Sequence, residues 1–483
     1  MNRNHRIKRI LLCLAALLAL PLLSASADGE QATDLSDCIR IAQSGHSGAR
    51  DMLLDARLDE TVEYLPFETI RLTWDCADAA TLCIQWGALP QRVRIRQIDA
   101  ADNILDESYA EPVWDAILPL VPGAAGVCIM ADASGMDLAR LALFSAGTLP
   151  APFYAWQDTP RGMDYLLIAT HPDDDVLFMG GVIPICGAEQ GYVGTVAYVT
   201  NPSRKRVNEA MLGAWEMGAR VRPIFIGFPD IRGSVKDDYP YRFRQETVTL
   251  ALVRMLREYR PLVVFTQDLN GEYGHWQHLI VSASVLDAVQ LCADPTFDPL
   301  SYAEFGAWEV QKCYIHLYEE NPLVMDIDAP LTAFGGRTAT EVAQEAFLQH
   351  KSQQSGRFAV HGTGDRYPMN RFGMAYGTVA AGTDVFDGID PTLLSTYTAP
   401  AETPTPAPEP TAPPTDPPTP TEPPKPTEPP APTAPPAPTE PPKQAAPAEP
   451  VPSAARFLFP ILGVILGAAA ASACFLLFRK RHS

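Results

Sequence analysis

The chain has 483 residues, too many for one ordinary domain, and its composition changes sharply along its length. A formal net charge of -20 disfavours nucleic acid and anionic membrane surfaces as partners.

Residues 1–27 open with Arg3, Arg6, Lys8 and Arg9, continue through an apolar run from Ile10 to Leu23, and end in Ala25-Ser26-Ala27. That order predicts a signal peptide. Residues 28–155 carry short alternating segments, among them TIRLTWDC, LCIQWG, VRIRQID, GVCIMAD and LARLALFSAG, separated by breaks such as AADN and ASGMD. The spacing predicts a β-sandwich. The stretch weakly resembles the galactose-binding-like modules attached to extracellular carbohydrate enzymes. On that resemblance Trp74, Trp86 and Trp114 are candidates to stack on a sugar, with burial in the core the favoured alternative.

From Met163 onward, strand and helix signals alternate. A strand at Tyr165 to Thr170 precedes a helix near Val176 to Gln190, then a strand at Gly194 to Thr200 and a helix at Arg204 to Gly218. A strand near Pro223 to Gly227, a helix at Gln245 to Tyr259 and a strand at Leu262 to Gln267 follow. Such alternation predicts a Rossmann-like α/β domain over 160–395. No GxGxxG follows its first strand, so a dinucleotide is not expected. The order of elements between Leu300 and Thr392 is not legible.

Residues 399–454 are Pro, Thr, Glu and Ala in near-repeats. An extended chain of this kind reaches on the order of 150 Å and reads as a stalk. Residues 457–478 are almost wholly apolar and precede the basic tail 479–483. They predict one transmembrane helix with a cytoplasmic tail, and so a single-pass type I cell-membrane protein with an extracellular ectodomain. Of nine cysteines, seven lie between these segments. Cys76 with Cys83, or Cys292 with Cys313, are candidate disulfides in an oxidising compartment, and Cys186 is the candidate free thiol.

Two stretches carry chemistry. The first, YLLIATHPDDDVLFMGG (Tyr165 to Gly181), passes from a buried strand directly to His171, Asp173 and Asp174. The second, VFTQDLNGEYGHWQHLI (Val264 to Ile280), again runs from a strand to a glycine-containing loop, then to His275 and His278, three residues apart. Imidazoles and a carboxylate from two strand ends make the donor set of a catalytic zinc, which needs three protein ligands and an open position.

At these residues the sequence resembles the PIG-L/LmbE family of zinc-dependent N-acetylglucosamine de-N-acetylases, over roughly Asp164 to His350. The family's AHPDDE motif appears as Thr170-His171-Pro172-Asp173-Asp174-Asp175, and its GyGHxDH-like motif as Tyr273-Gly274-His275-Trp276-Gln277-His278. Arg206-Val207-Asn208-Glu209 stands where the family has RxxE, and Phe228-Pro229-Asp230 where it often has YPD. The resemblance implies Zn2+ on His171, Asp174 and His278, and Asp173 as general base. It implies that His275 and Tyr273 stabilise the oxyanion or protonate the leaving amine, and that Arg206 and Asp230 hold the sugar. Asp175, Gln277 and Thr170 depart from the family's usual Glu, Asp and Ala.

The expected function is a cell-surface zinc-dependent N-deacetylase acting on an N-acetylated amino sugar or glycan. The alternatives are a non-catalytic carbohydrate-binding surface protein on the same fold and a related zinc amide hydrolase.

Overall fold

The structure, a computed structural model, describes residues 30–42, 48–55, 58, 60–201, 203–231 and 243–396. The expected signal peptide, linker, transmembrane helix and tail lie outside the described residues, as does a separate unit, Thr403–Ser483. Among the described residues no helix is long and apolar enough to cross a membrane.

Residues 40–145 form two facing sheets. Their elements in chain order are β1 (Arg40–Ala42), α1 (Ala49–Leu53), β2 (Val62–Tyr64), β3 (Thr69–Thr73), β4 (Ala79–Trp86), β5 (Arg94–Ile98), β6 (Ile104–Tyr109), β7 (Asp115–Pro119), β8 (Gly126–Met130) and β9 (Met136–Ser145). One sheet has the order β1-β3-β8-β5-β6 and the other β2-β9-β4-β7. Alternation supplies the contact between them: Ile70 and Leu72 point inward from one sheet, Leu82, Ile84 and Leu141 from the other, and all join one core. Trp74, Trp86 and Trp114 are all buried, so none offers a sugar a free ring face. Trp114 instead meets Phe225 edge-on at 6.1 Å and lies under the Arg204 guanidinium.

The second part is a seven-stranded sheet of β10 (Met163–Ala169), β11 (Gly194–Thr200), β12 (Ile224–Phe228), β13 (Pro261–Thr266), β14 (Lys312–His316), β15 (Pro322–Val324) and β16 (Arg371–Gly377). Its order is β12-β11-β10-β13-β14-β16-β15. Strands β10 to β14 pair in parallel, and β16 runs antiparallel beside β14 and β15. The helices are α2 (Asp174–Met179), α3 (Arg204–Glu216), α4 (Gln245–Tyr259), α5 (Trp276–Leu291), α6 (Pro299–Phe305) and α7 (Ala339–Phe347).

Every residue of β10 is buried because both faces are covered. Tyr165, Leu167 and Ala169 pack with α2, α3 and α7, while Leu166 and Ile168 pack with α4 and α5. The helix expected from Val176 to Gln190 is shorter: α2 stops at Met179 and a π-helical turn spans Ile183–Glu189. The break falls at Gly180, where a Cβ would stand 2.8 Å from that of Ala343 on α7. Glycine there lets α7 approach closely.

The sandwich and the α/β part are joined by buried polar contacts. The Arg204 guanidinium on α3 pairs with Asp115 on β7. Gln85 Nε2 donates to Asp115 at 3.0 Å and to Asn208 Oδ1 at 3.3 Å. Cys38, Cys76, Cys83, Cys128, Cys186, Cys292 and Cys313 are all free thiols in this structure. Cys76 follows β3 of one sheet whereas Cys83 is buried on β4 of the other, and the Cys292 and Cys313 thiols are both buried and separate.

Candidate active site

Strands β10 and β13 are parallel neighbours at the point where strand order reverses. Connections from such a pair leave toward opposite faces, which opens a crevice beyond their carboxyl ends. The two motif stretches extend from these ends, so the sheet topology itself brings residues about a hundred positions apart into one place.

The first loop is fixed locally. The His171 N–H donates to Asp174 Oδ2 at 2.7 Å, and the Asp173 N–H to the His171 carbonyl at 2.9 Å. Asp173 occupies the N-cap of α2, yet its side chain makes no capping hydrogen bond. Its Oδ1 lies instead 3.0 Å from Arg206 Nη2, and the same guanidinium donates to the Pro172 carbonyl at 2.7 Å. Arg206 therefore spends its charge on Asp173 rather than on Glu209, whose carboxylate accepts from the Ser352 N–H at 2.8 Å.

The second loop turns at Gly271, φ 66°, where a Cβ would stand 2.7 Å from the His275 carbonyl. Tyr273 follows with φ 60° and ψ 10°, left-handed and uncommon for a side chain of its size. His275 is then the N-cap of α5, and His278 lies in its first turn.

Three donor atoms converge. His171 Nδ1 is 3.1 Å from His278 Nε2 and 3.1 Å from Asp174 Oδ2, and His278 Nε2 is 3.2 Å from Asp174 Oδ2. A tetrahedral zinc with bonds near 2.0–2.1 Å requires ligand atoms roughly 3.3 Å apart, so this triangle has the size of one tetrahedral face. His275 stands alongside: one ligand atom from each of His171, His275 and His278 falls within 4.8 Å of the others.

The charges in the crevice act on one another. Burial opposes charge on Asp174, but His278 and His171 outweigh it and hold its carboxyl well below the usual range. Burial likewise opposes a charged His278, yet Asp174 and Glu272 raise it to about 10. Burial, then His278 and His171, push the His275 ring down to about 4, with Asp174 and Glu272 opposing. Asp173 is raised to about 7 by burial, against the pull of Arg206.

All eight residues singled out from sequence, His171, Asp173, Asp174, Arg206, Asp230, Tyr273, His275 and His278, line one cavity of about 130 Å³. Asp230 is at its edge, with Oδ1 3.8 Å from His171 Nε2. A larger cavity of about 370 Å³, bordered by Tyr165, Gly187 and Arg220, gathers no comparable set of titratable groups.

A second layer of residues was not picked out from sequence. Glu272 Oε2 lies 2.7 Å from His278 Nδ1, and its Oε1 lies 2.7 Å from His316 Nδ1. Burial opposes its charge, but hydrogen bonds from both histidines bring it down to about 2. Gln267 Nε2 is 2.9 Å from His278 Nδ1, and its Oε1 accepts from the Thr170 N–H and hydroxyl. Thr170, one of the departures, thereby ties the ends of β10 and β13 together. Gln277, another, places Oε1 3.3 Å from His171 Nε2 and accepts the Ile231 N–H at 3.2 Å. Asp175 accepts from the Tyr198 hydroxyl at 2.8 Å, away from the cavity. Gln353 and Phe358 add to the lining from a segment outside both motif stretches.

Residues 166–289 match the family model described as PIG-L: GlcNAc-PI de-N-acetylase. The chain is similar to the 1D-myo-inositol 2-acetamido-2-deoxy-alpha-D-glucopyranoside deacetylase 1 of Catenulispora acidiphila, 29% identical over 210 residues, covering 38% of this chain and 63% of that protein. It is also similar to the 1D-myo-inositol 2-acetamido-2-deoxy-alpha-D-glucopyranoside deacetylase of Geodermatophilus obscurus, 30% identical over 198 residues, covering 35% of this chain and 66% of that protein. The chain thus spans less than two thirds of the length of these relatives. Among solved structures, N,N'-diacetylchitobiose deacetylase from Pyrococcus horikoshii aligns with a TM-score of 0.31 and 20% identity over 40% of this chain and 71% of that one.

Proposed function

We propose that this chain, which carries a PIG-L family domain at residues 166–289, is a zinc-dependent deacetylase that hydrolyses the N-acetyl group of an N-acetylglucosamine-type amino sugar or glycan. The observation that carries this reading is the donor triangle of His171, Asp174 and His278, sized for one face of a tetrahedral ion. The names of the relatives, deacetylases of an acetamido sugar, support the substrate class.

A zinc ion held by His171, Asp174 and His278 would supply Lewis acidity toward the acetamide carbonyl and lower the pKa of water. The remaining chemistry belongs to the side chains. Asp173, next to a ligand and clamped by Arg206, takes a proton from the attacking water. A carboxyl raised to about 7 by burial holds that proton long enough to return it to the departing nitrogen. The neutral His275 and the Tyr273 phenol offer hydrogen bonds to the carbonyl oxygen as it gains charge. Collapse breaks the C–N bond, and the nitrogen leaves as an amine while acetate departs. Asp230, part-exposed at the edge, is placed to accept from sugar hydroxyls. Arg206 acts first through Asp173 and reaches the sugar only with whatever donors that pairing leaves.

Placement outside the cell belongs to the same proposal and rests on residues 1–27 and 457–478 of the sequence. Acetate release by the full chain, screened over N-acetylglucosamine, chitooligosaccharides and acetylated glycan fragments, tests the activity. Release that requires zinc and disappears in Asp173→Asn is the expected result. No release from any acetylated amino sugar by zinc-loaded protein overturns the reading.

A further inference from the structure

Tyr273 does not hold its place alone. Its phenol oxygen lies 2.9 Å from Nε2 of His361, which is 88 positions later and outside both motifs. The His361 ring stacks on Phe178 of α2 at 5.3 Å and 15°. The residue's backbone is held as well, its main-chain N–H donating to the Leu177 carbonyl at 3.2 Å and its main-chain carbonyl accepting the Met369 N–H at 3.0 Å. Nδ1 is 3.9 Å from Asp365, too far for a hydrogen bond, so the phenol is its one close polar partner among the described residues. The Tyr273 ring meets Phe178 and Tyr367 edge-on at 5.4 and 5.0 Å. A half-exposed tyrosine on a left-handed backbone position would otherwise be free to swing away from the cavity.

We infer that His361 is a positioning residue that holds the Tyr273 phenol at the mouth of the cavity. The inference rests on the proposed deacetylase reading, because that reading gives the phenol its task. A positioning role means that the two side chains act as one unit, so their losses do not add.

The test is a double-mutant cycle on the full chain with His361→Phe, which keeps the stacking, Tyr273→Phe, and both together. His361→Phe is expected to lower kcat for acetate release by roughly tenfold, with KM within about twofold and zinc content unchanged, and to cost nothing further in the Tyr273→Phe background. His361→Asn, which keeps a hydrogen-bonding group, should restore part of the loss. Additive losses, or a change in KM alone, overturn the inference. Should the wild-type chain release no acetate, the imidazole 15N shifts of His361 still decide the pairing. They move on Tyr273→Phe if the contact exists and stay fixed if it does not.

A different observation concerns the sandwich. Strands β1 and β3 pair antiparallel with Arg40 opposite Thr73, which brings the segment before β1 and the segment after β3 to the same end of the ladder. Cys38 and Cys76 occupy these segments, half-buried against the sandwich core and beside the Arg40–Asp75 ion pair, and burial first and the Cys38 side chain next raise the Cys76 thiol to about 11. We propose that Cys38 and Cys76 are the disulfide-forming pair of this chain. Exchange with a small-molecule disulfide joins the two sulfurs, and the two thiol hydrogens and two electrons leave with the donor as two reduced thiols. The bond fastens the three-residue strand β1 to the sheet.

Peptide mapping without reductant, after incubating the full chain with oxidised and reduced glutathione, tests this. A Cys38–Cys76 cross-linked peptide lighter by two hydrogens is expected. So is a melting temperature that falls by a few degrees on reduction in the wild type but not in Cys38→Ser. Alkylation of both thiols after oxidation, or Cys76 joined to Cys83, overturns it.

Discussion

Nδ1 of His278 lies 2.7 Å from the carboxylate of Glu272, a residue with no surface exposure whose other oxygen is held at the same distance by His316. The contact fixes the ring so that Nε2 faces His171 and Asp174, and it raises the basicity of that nitrogen. Glu272→Gln should weaken zinc binding by roughly 10- to 100-fold while the fold persists. Competition against a chromophoric chelator, with circular dichroism as the control, measures it. Equal affinities would remove Glu272 from the metal-holding apparatus.

Arg206 pulls down a carboxyl that burial raises to about 7. Arg206→Met should therefore move the acid limb of kcat/KM to higher pH, because the protonated, inactive form of Asp173 then persists further. Asp173→Asn should lower kcat by at least about 10²-fold with no limb to shift. A pH–rate profile of Arg206→Met that overlays the wild type would mean that the guanidinium acts elsewhere.

His350 is fully buried and is pushed down to about 3, by burial first and then by the Arg206 charge, with the Pro172 backbone opposing. Its unfolded value is near 6.5, so below that pH the unfolded chain takes up a proton that the folded chain refuses. Stability from this group is complete above about pH 6.5 and is lost as pH falls toward 3. Between pH 7 and pH 5 the loss is about 2 kcal/mol. His350→Gln should shrink the difference in urea-unfolding free energy between those two pH values by about that much. An unchanged difference would show that the ring is solvated.

The buried ion pair of Arg204 and Asp115 joins the sandwich to α3. Arg204→Leu strands a carboxylate that Gln85 alone cannot compensate, and should cost about 3 kcal/mol. The double variant Arg204→Leu with Asp115→Leu should recover most of it, since two apolar side chains leave no orphan charge. Thermal melts of the three variants check the order. A double variant no better than the single one would assign the loss to packing.

The parallel sheet was legible because β10, β11 and β13 are short apolar runs that end abruptly in polar loops, and their predicted spans agree with the structure within two residues. Six of the eight cavity-lining candidates were legible because they cluster in two stretches next to those strand ends, whereas Arg206 and Asp230 stand apart in RVNE and FPD and were picked out through the family resemblance alone. What stayed hidden lacked a local signal. Glu272 and Gln267 read as loop polar residues, and only the side-by-side placement of β10 and β13 gives them partners. His316 and His361 come from the segment whose order could not be read, because β16 runs against the parallel strands and the short β15 pairs only with it. Strands β6 and β7 went unseen as well, since ILDESY buries none of its residues and DAILP buries only Asp115, so neither has an apolar face.

His171 and His278 are 107 positions apart, and nothing but the pairing of β10 with β13 brings them within reach of one another. His171 and Asp174 leave the ribosome together and long before His278, so the full donor triangle exists only once the central strands have paired. On the proposed reading, tight uptake of zinc would then report the closure of the sheet rather than precede it.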